Sequence, residues 1–290
     1  MPKMKVTDYD YHGKTMCLPL FPPENLDKLK DTMFDDRDIL IATYAKCGTT
    51  WMQEIIFQVF HEGNVEEAQK TPLYLHYNFV EMKLDEKSKL EKALEKPSPR
   101  LLKTHLDPSF FEKTLKTKKP KVVVVFRNPK DMLVSYFHFH RSGAFNFASD
   151  GKWDDFFQRF KDDKLVHGNY FDMQLGWWQY KDDPRFLFTT YENMLTDPVK
   201  TVRDVAKLLE KDISDELLME IVKRTSFQSM KNNPMSNYST FDGIDHNISA
   251  FMRKGKVGDW KNYFSKEQQE YVDNLSKEKF EPAGIFLEDE

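Results

Sequence analysis

The stretch Lys121–Phe126 reads KVVVVF, four successive valines with no polar residue among them. A strand with one wet face alternates apolar with polar side chains, so an unbroken run is expected where helices cover both faces of a parallel sheet. Ile39–Tyr44 has the same character, and Arg100–Thr104 and Arg185–Thr190 are two further short apolar runs. Between these runs the period changes. Trp51, Met52, Ile55, Ile56, Val59 and Phe60 recur at helical spacing, as do Trp153, Phe156, Phe157 and Phe160. Asn128 before Pro129, and Asp197 before Pro198, each set a capping side chain ahead of a proline at the first helical position. Ser214 ahead of Asp215 and Glu216 starts another amphipathic helix. Strands alternating with helices specify an α/β fold, a single domain with a central, mainly parallel sheet flanked by helices.

The chain has 290 residues and no internal repeat or low-complexity tract to divide it. Lys and Arg total 43 against 47 Asp and Glu, a net charge of −4. That balance argues against a nucleic-acid partner or a membrane-surface role. The longest purely aliphatic stretch, Val122–Val125, falls far short of the roughly 20 apolar residues a bilayer crossing needs. Met1–Thr15 is polar, without an apolar signal core, and Cys17 and Cys47 form no disulfide framework. A cytoplasmic, reduced, soluble protein is the expectation.

Ligands of open α/β sheets sit beyond the carboxyl ends of the strands. There the sequence places Lys46, Gly48, Thr49 and Thr50 after the first run, Lys103 and His105 around the end of the second, Arg127 after the third and Tyr191 after the fourth. Such a set suits an anion that carries a flat ring. The turn Lys46–Thr50 leads into a helix near Thr49, so free N–H groups and the positive helix end face the loop. Gly48 admits an oxygen to the main chain, the threonines add hydroxyls and Lys46 adds a point charge. The loop resembles a phosphate cradle, yet G-x-x-x-x-G-K-[ST] is absent and the lysine precedes the glycine. A plain turn with a solvated lysine is the alternative for the loop taken alone. Arg127 stands where a magnesium-dependent nucleotide hydrolase would offer an acid, and its forked donors suit a phosphate, with Ser135 as a second contact. His105, with an ordinary pKa near ~6.5, is the natural group to take a proton from an acceptor. His138 and His140 are two apart and share no helix face, so no metal site is expected. Near the C-terminus Arg253, Lys254, Gly255 and Lys256 form either a solvated basic loop or a clamp on a second phosphate.

Taken in order, these segments resemble the cytosolic sulfotransferases. Tyr44–Trp51 resembles the family's 5′-phosphosulfate loop, and Pro99–Leu106 its catalytic stretch. Arg127–Asp131, with Ser135 in the segment that runs to His140, resembles its 3′-phosphate element; Thr225-Ser226-Phe227 with Met230 resembles a nucleotide-contacting segment, and Arg253–Asn262 the C-terminal signature. The matches span about Ile39 to Ser265. The resemblance implies a P-loop-like strand-loop-helix and the donor 3′-phosphoadenylyl sulfate (PAPS), with adenosine 3′,5′-bisphosphate (PAP) as product and no metal. The sulfuryl group would pass to a hydroxyl or amine of a small, mostly apolar acceptor. His105 would be the base and Lys103 would steady charge on the sulfuryl oxygens. Lys46 would hold the phosphosulfate, with Cys47, Gly48, Thr49 and Thr50 beside it. Trp51, Tyr191 and Phe227 would pack around or contact the adenine, and Thr225 and Ser226 would contact the nucleotide. Arg127, Ser135, Arg253, Lys254 and Gly255 would bind the 3′-phosphate, with Phe251 and Met252 also among the cofactor-binding residues. Phe79 and Phe139 would join Lys103 and His105 in the acceptor pocket.

On the same basis residues 1–38 would contribute to that pocket and 39–290 would form the sulfotransferase domain, in one globular unit. Two departures are visible: Ala45 replaces the family's proline before the loop lysine, and Cys47 replaces a small residue, with oxidation sensitivity expected if its thiol is exposed. The family's dimer motif appears in degraded form as Lys261, Ser265, Lys266 and Glu270, so a homodimer would be weakened or absent. A metal-dependent nucleotide kinase, lacking its Walker A order, and a nucleotide-binding protein without turnover are the rival readings. The acceptor loops, around Leu20–Phe21, 75–90, 141–151 and 237–248, carry no readable code; 141–151, with two glycines, suits a lid.

Overall fold

A computed structural model describes residues 6–143 and 151–287. Among the described residues there are seven strands: β1 (Thr7–Tyr11), β2 (Lys14–Leu18), β3 (Ile39–Thr43), β4 (Asn78–Phe79), β5 (Leu101–Thr104), β6 (Lys121–Phe126) and β7 (Phe186–Thr190). β1 and β2 form an antiparallel hairpin; the other five make one sheet in the order β4-β5-β3-β6-β7, every neighbour parallel. The four apolar runs are four of these strands, to within a residue. The hairpin and the two-residue β4 had no such signature.

The valine run shows why the sheet is central. Val122, Val124 and Phe126 point into one apolar cluster, and Val123 and Val125 into another on the opposite face. β3 divides the same way, Leu40 and Ala42 against Ile39 and Ile41. The helix Thr49–Phe60 covers one face with Met52, Ile55, Ile56 and Val59. The helices Pro129–Ser142 and Trp153–Lys161 cover the other, the first with Met132, Leu133, Tyr136 and Phe137 and the second with Phe156, Phe157 and Phe160. Burying a side chain of this size stabilises by about 1.5–3 kcal/mol, so the two helical layers hold the sheet from both sides. The helix starts lie at the caps read from the sequence: Asn128 accepts from the Lys130 N–H (2.9 Å), Asp197 from that of Lys200 (2.8 Å) and Ser214 from that of Leu217 (3.2 Å). The chain before β3 packs on the same core, which takes in Met16, Leu20, Phe21, Leu26 and Phe34. The central part of the expected lid, 144–150, lies outside the described residues. Among the described residues no helix is long and apolar enough to cross a membrane.

Candidate functional site

β3 sits between β5 and β6, so the chain leaves it toward opposite edges of the sheet, and a crevice opens at that switch point. The carboxyl ends of β5, β3, β6 and β7 border one cavity of about 390 Å³, within the usual size of a small-molecule site.

The phosphate-type loop is built by backbone conformation. Lys46 (φ 71°) and Gly48 (φ 94°) are both left-handed and fold the strand end back into the helix Thr49–Phe60. The first intrahelical bond runs from the Met52 N–H to the Gly48 carbonyl (3.0 Å), and no side chain caps the helix. The N–H groups ahead of Met52 are therefore the donors that a helix start leaves for a ligand. Gly48 also makes room: a Cβ there would stand 2.9 Å from Tyr191 Cδ2. Gly255 does the same against Phe227, at 2.2 Å from Cδ2, and with φ +63° it suffers the left-handed penalty for a side chain as well.

Charge is concentrated here out of proportion to the chain. Lys46, Lys89, Lys103, Arg127, Arg253, Lys254 and Lys256 line the cavity, and no Asp or Glu does so among the described residues. The Lys46 ammonium lies over the rings of Phe139 (4.5 Å) and Phe251 (4.2 Å), and burial, then Arg127, Lys103 and Arg253, lower its pKa to about 7. Lys103 sits over Phe79 at 4.4 Å, and burial lowers it to about 8 against the opposing pull of Glu81. Arg127 donates from Nη1 to the Lys46 carbonyl (2.9 Å) and stacks 4.0 Å above Tyr191, while its buried Nε–H has no hydrogen-bond partner. Arg253 and Lys254 both pair with Asp259. Burial alone would raise that carboxyl, but the two pairs hold it at about 2.

His105, 9% exposed, follows β5, its ring packed edge to face with Phe79 at 4.8 Å. Its Nδ1 lies 2.7 Å from the Thr43 carbonyl, which can only accept, so the proton is on Nδ1 and Nε2 keeps its lone pair. Burial, then His167 and Lys103, hold the imidazolium well below the ordinary value, so the ring is neutral. The backbone N–H of His105 donates to the fully buried Glu81 (2.6 Å), whose carboxyl burial raises to about 7. The Thr43 hydroxyl meets that of Thr49 at 2.6 Å, linking the loop to the His105 ring.

Most of the site residues expected from sequence share this cavity: Lys46, Gly48, Thr49, Thr50, Trp51, Phe79, Lys103, His105, Arg127, Ser135, Phe139, Tyr191, Phe227, Phe251, Met252, Arg253, Lys254 and Gly255. Cys47, Thr225 and Ser226 are not on its wall. Cys47 is buried in the core and burial pushes its thiol pKa up, which removes the oxidation sensitivity that exposure would have brought. The Thr225 hydroxyl donates to the Ile221 carbonyl (2.9 Å), and Ser226 caps the helix Phe227–Asn232. Leu20 and Phe21, from before β3, do line the cavity. Two residues went unread: Glu81, under the His105 backbone, and His167, which stands 5.1 Å from the His105 ring centroid. Among the described residues no group of His, Cys, Asp and Glu could hold a metal ion.

The sequence profile of the sulfotransferase domain matches residues 36–284. Human sulfotransferase 1C2 is 41% identical over 256 residues, covering 86% of this chain and 84% of the relative. Dog sulfotransferase 1A1 is 38% identical over 265 residues, 90% of each. Of solved structures, mouse sulfotransferase SULT7A1 complexed with PAP superimposes with a TM-score of 0.74 at 30% identity, over 94% of both chains. A retinol dehydratase bound to androsterone and PAP shares the fold, with a TM-score of 0.85 at 23% identity over 97% of this chain and 91% of that one.

Proposed function

This chain belongs to the sulfotransferase family, and we propose that His105 serves as its catalytic base within a clamp of Lys46, Lys103, Arg127, Ser135, Arg253 and Lys254. The enzyme is PAPS-dependent: the donor supplies an activated sulfuryl group to a small-molecule acceptor and leaves as PAP. The observation that carries our reading is the cavity wall itself, with seven lysines and arginines and, among the described residues, no carboxylate on it, in a chain of net charge −4. Only a multiply anionic ligand makes such a wall electrostatically reasonable.

Each residue's part follows from its surroundings. The unsatisfied N–H groups at Thr49–Trp51 and the Lys46 ammonium would hold the phosphosulfate end. Arg127, with an unpaired buried N–H, and Ser135 would take the 3′-phosphate; Arg253 and Lys254 would join them on leaving Asp259. Trp51, Tyr191 and Phe227 form the aromatic walls suited to adenine. His105 Nε2 would draw the proton from the acceptor, and Lys103 would offset charge on the sulfuryl oxygens. By analogy with phosphoryl transfer, alignment and electrostatics then carry most of the rate. The acceptor side, with Phe21, Phe79 and Phe139, suits a phenol, steroid or alcohol rather than an extended polar substrate. We place the protein in the cytoplasm, with residues 1–38 supplying Leu20 and Phe21 to one globular unit.

Thermal unfolding tests this directly. PAP is expected to raise the melting temperature in the absence of magnesium while Mg-ATP does not, and labelled sulfate should pass from PAPS to a phenol. A shift by Mg-ATP alone would favour the kinase reading.

Dimerisation through the degraded motif is expected to be weak. Ser265 caps the helix Lys266–Phe280, and the Lys266 side chain is 84% exposed, paired only with Glu270 one turn on at 3.8 Å. Buried at a two-fold interface, that lysine would meet its own copy's environment and need a new partner. Sedimentation at nanomolar concentration should therefore give a monomer; a stable dimer lost in Lys266→Glu would contradict this.

A further inference from the structure

His167 is the one imidazole on the described cavity wall, besides that of His105, and the proposed reaction leaves it without a task. His167 is 6% exposed, and among the described residues neither ring nitrogen makes a hydrogen bond of normal geometry; the adjacent Val166 backbone engages it only loosely and can satisfy at most one nitrogen. A buried ring nitrogen left without a partner costs far more than a made hydrogen bond returns, so a ring in this state is normally completed by a ligand. The aromatic neighbours give it no polar relief: Phe21 is edge-on at 4.9 Å and Phe79 lies at 6.3 Å.

The backbone shows that the ring is held there. His167 has φ 77°, a left-handed conformation that a side chain adopts only when its surroundings impose it. Its N–H donates to the Thr15 carbonyl of β2 (2.9 Å), and the next carbonyl, of Gly168, accepts from the Tyr44 phenol (2.7 Å). A hairpin and the end of the central strand thus fix one strained residue from two sides. The His105 and His167 rings meet edge to face with centroids 5.1 Å apart. Rings this close can both reach one small molecule through hydrogen bonds of about 2.7–3.0 Å.

We propose that His167 is an acceptor-recognition residue that hydrogen-bonds a second polar group beside the reacting hydroxyl, so that the favoured acceptors are ortho- or vicinal diols and amino-alcohols. The inference rests on His105 being the base at this site. In its neutral form the His167 ring can donate from one nitrogen or accept at the other, which fits a hydroxyl or an amine equally. Burial, opposed by the Val166 backbone and reinforced by Lys103, holds His167 neutral, its pKa lowered to about 3. An acceptor without the second group would leave a ring nitrogen unpaired, which is how a polar site rejects a close analogue.

The test is the ratio of kcat/KM for a 4-alkylcatechol to that for the matching 4-alkylphenol, measured with PAPS. The full-length enzyme is expected to favour the catechol by about tenfold or more, chiefly through KM. His167→Phe should bring the ratio to about one and His167→Gln should restore part of it, with PAP-induced thermal stabilisation retained as the control for folding. A ratio near one in the wild type, or a ratio unchanged in His167→Phe, would overturn the proposal. Either result with sulfate transfer intact removes only the role of His167; absence of both transfer and PAP binding would instead remove the reading on which it rests.

Discussion

Replacing His105 with alanine is expected to lower kcat by about 10²–10⁴ while the affinity for PAP stays within a few-fold of wild type. The split follows from geometry. His105 reaches the nucleotide loop only through Thr43, and its unprotonated Nε2 is the atom a proton could go to. Single-turnover transfer of labelled sulfate, set beside PAP titration, measures both quantities. Turnover that survives the substitution largely intact would sink the assignment. The acid side of the pH profile adds a check. A base active in its neutral form loses activity as pH falls through its own pKa, and burial has moved that of His105 well below 6.5. The fall should therefore begin at a lower pH than for an ordinary histidine.

PAP affinity is expected to weaken as pH rises from about 6 to 9, by up to tenfold per unit for each lysine that must regain a proton. Lys46, at about 7, and Lys103, at about 8, are depressed by burial and, for Lys46, by the cations around it. Both are charged below those values, so binding there needs no protonation. Above them the free protein has lost protons that an anion draws back, because negative charge raises an ammonium pKa. Binding near pH 8 should accordingly take up protons, visible as a calorimetric enthalpy that varies with the buffer. A dissociation constant flat across the range, with no proton uptake, would show that these lysines do not meet the anion.

The parts of the fold legible in the sequence are those where tertiary packing and local pattern agree. β3 and β6 are buried on both faces, so burial confined their polar residues to one end of each, Thr43 and Lys121, and left an unmistakable apolar run between. The hairpin strands TDYDY and KTMCL are partly exposed and mix charge with aromatic residues, and the two residues of β4 are too few to show a period. The site was legible for a different reason: parallel strands deliver their successors to one edge, so His105, Arg127 and Tyr191 could be placed together without knowing any side-chain direction. Three residues carried by the resemblance lie off the cavity wall: the Cys47 side chain faces the core, and the hydroxyls of Thr225 and Ser226 bond at helix ends. Glu81 and His167 could not be found this way. Each is an isolated residue whose significance comes from what folds against it, the one under the His105 backbone and the other beside its ring.

Thr43 has a consequence for timing. Through its hydroxyl it holds the start of the helix Thr49–Phe60, and through its carbonyl the imidazole. On the proposed reading, two functions that many enzymes place on separate moving parts here meet in one residue at a strand end, so that seating the nucleotide also aims the imidazole.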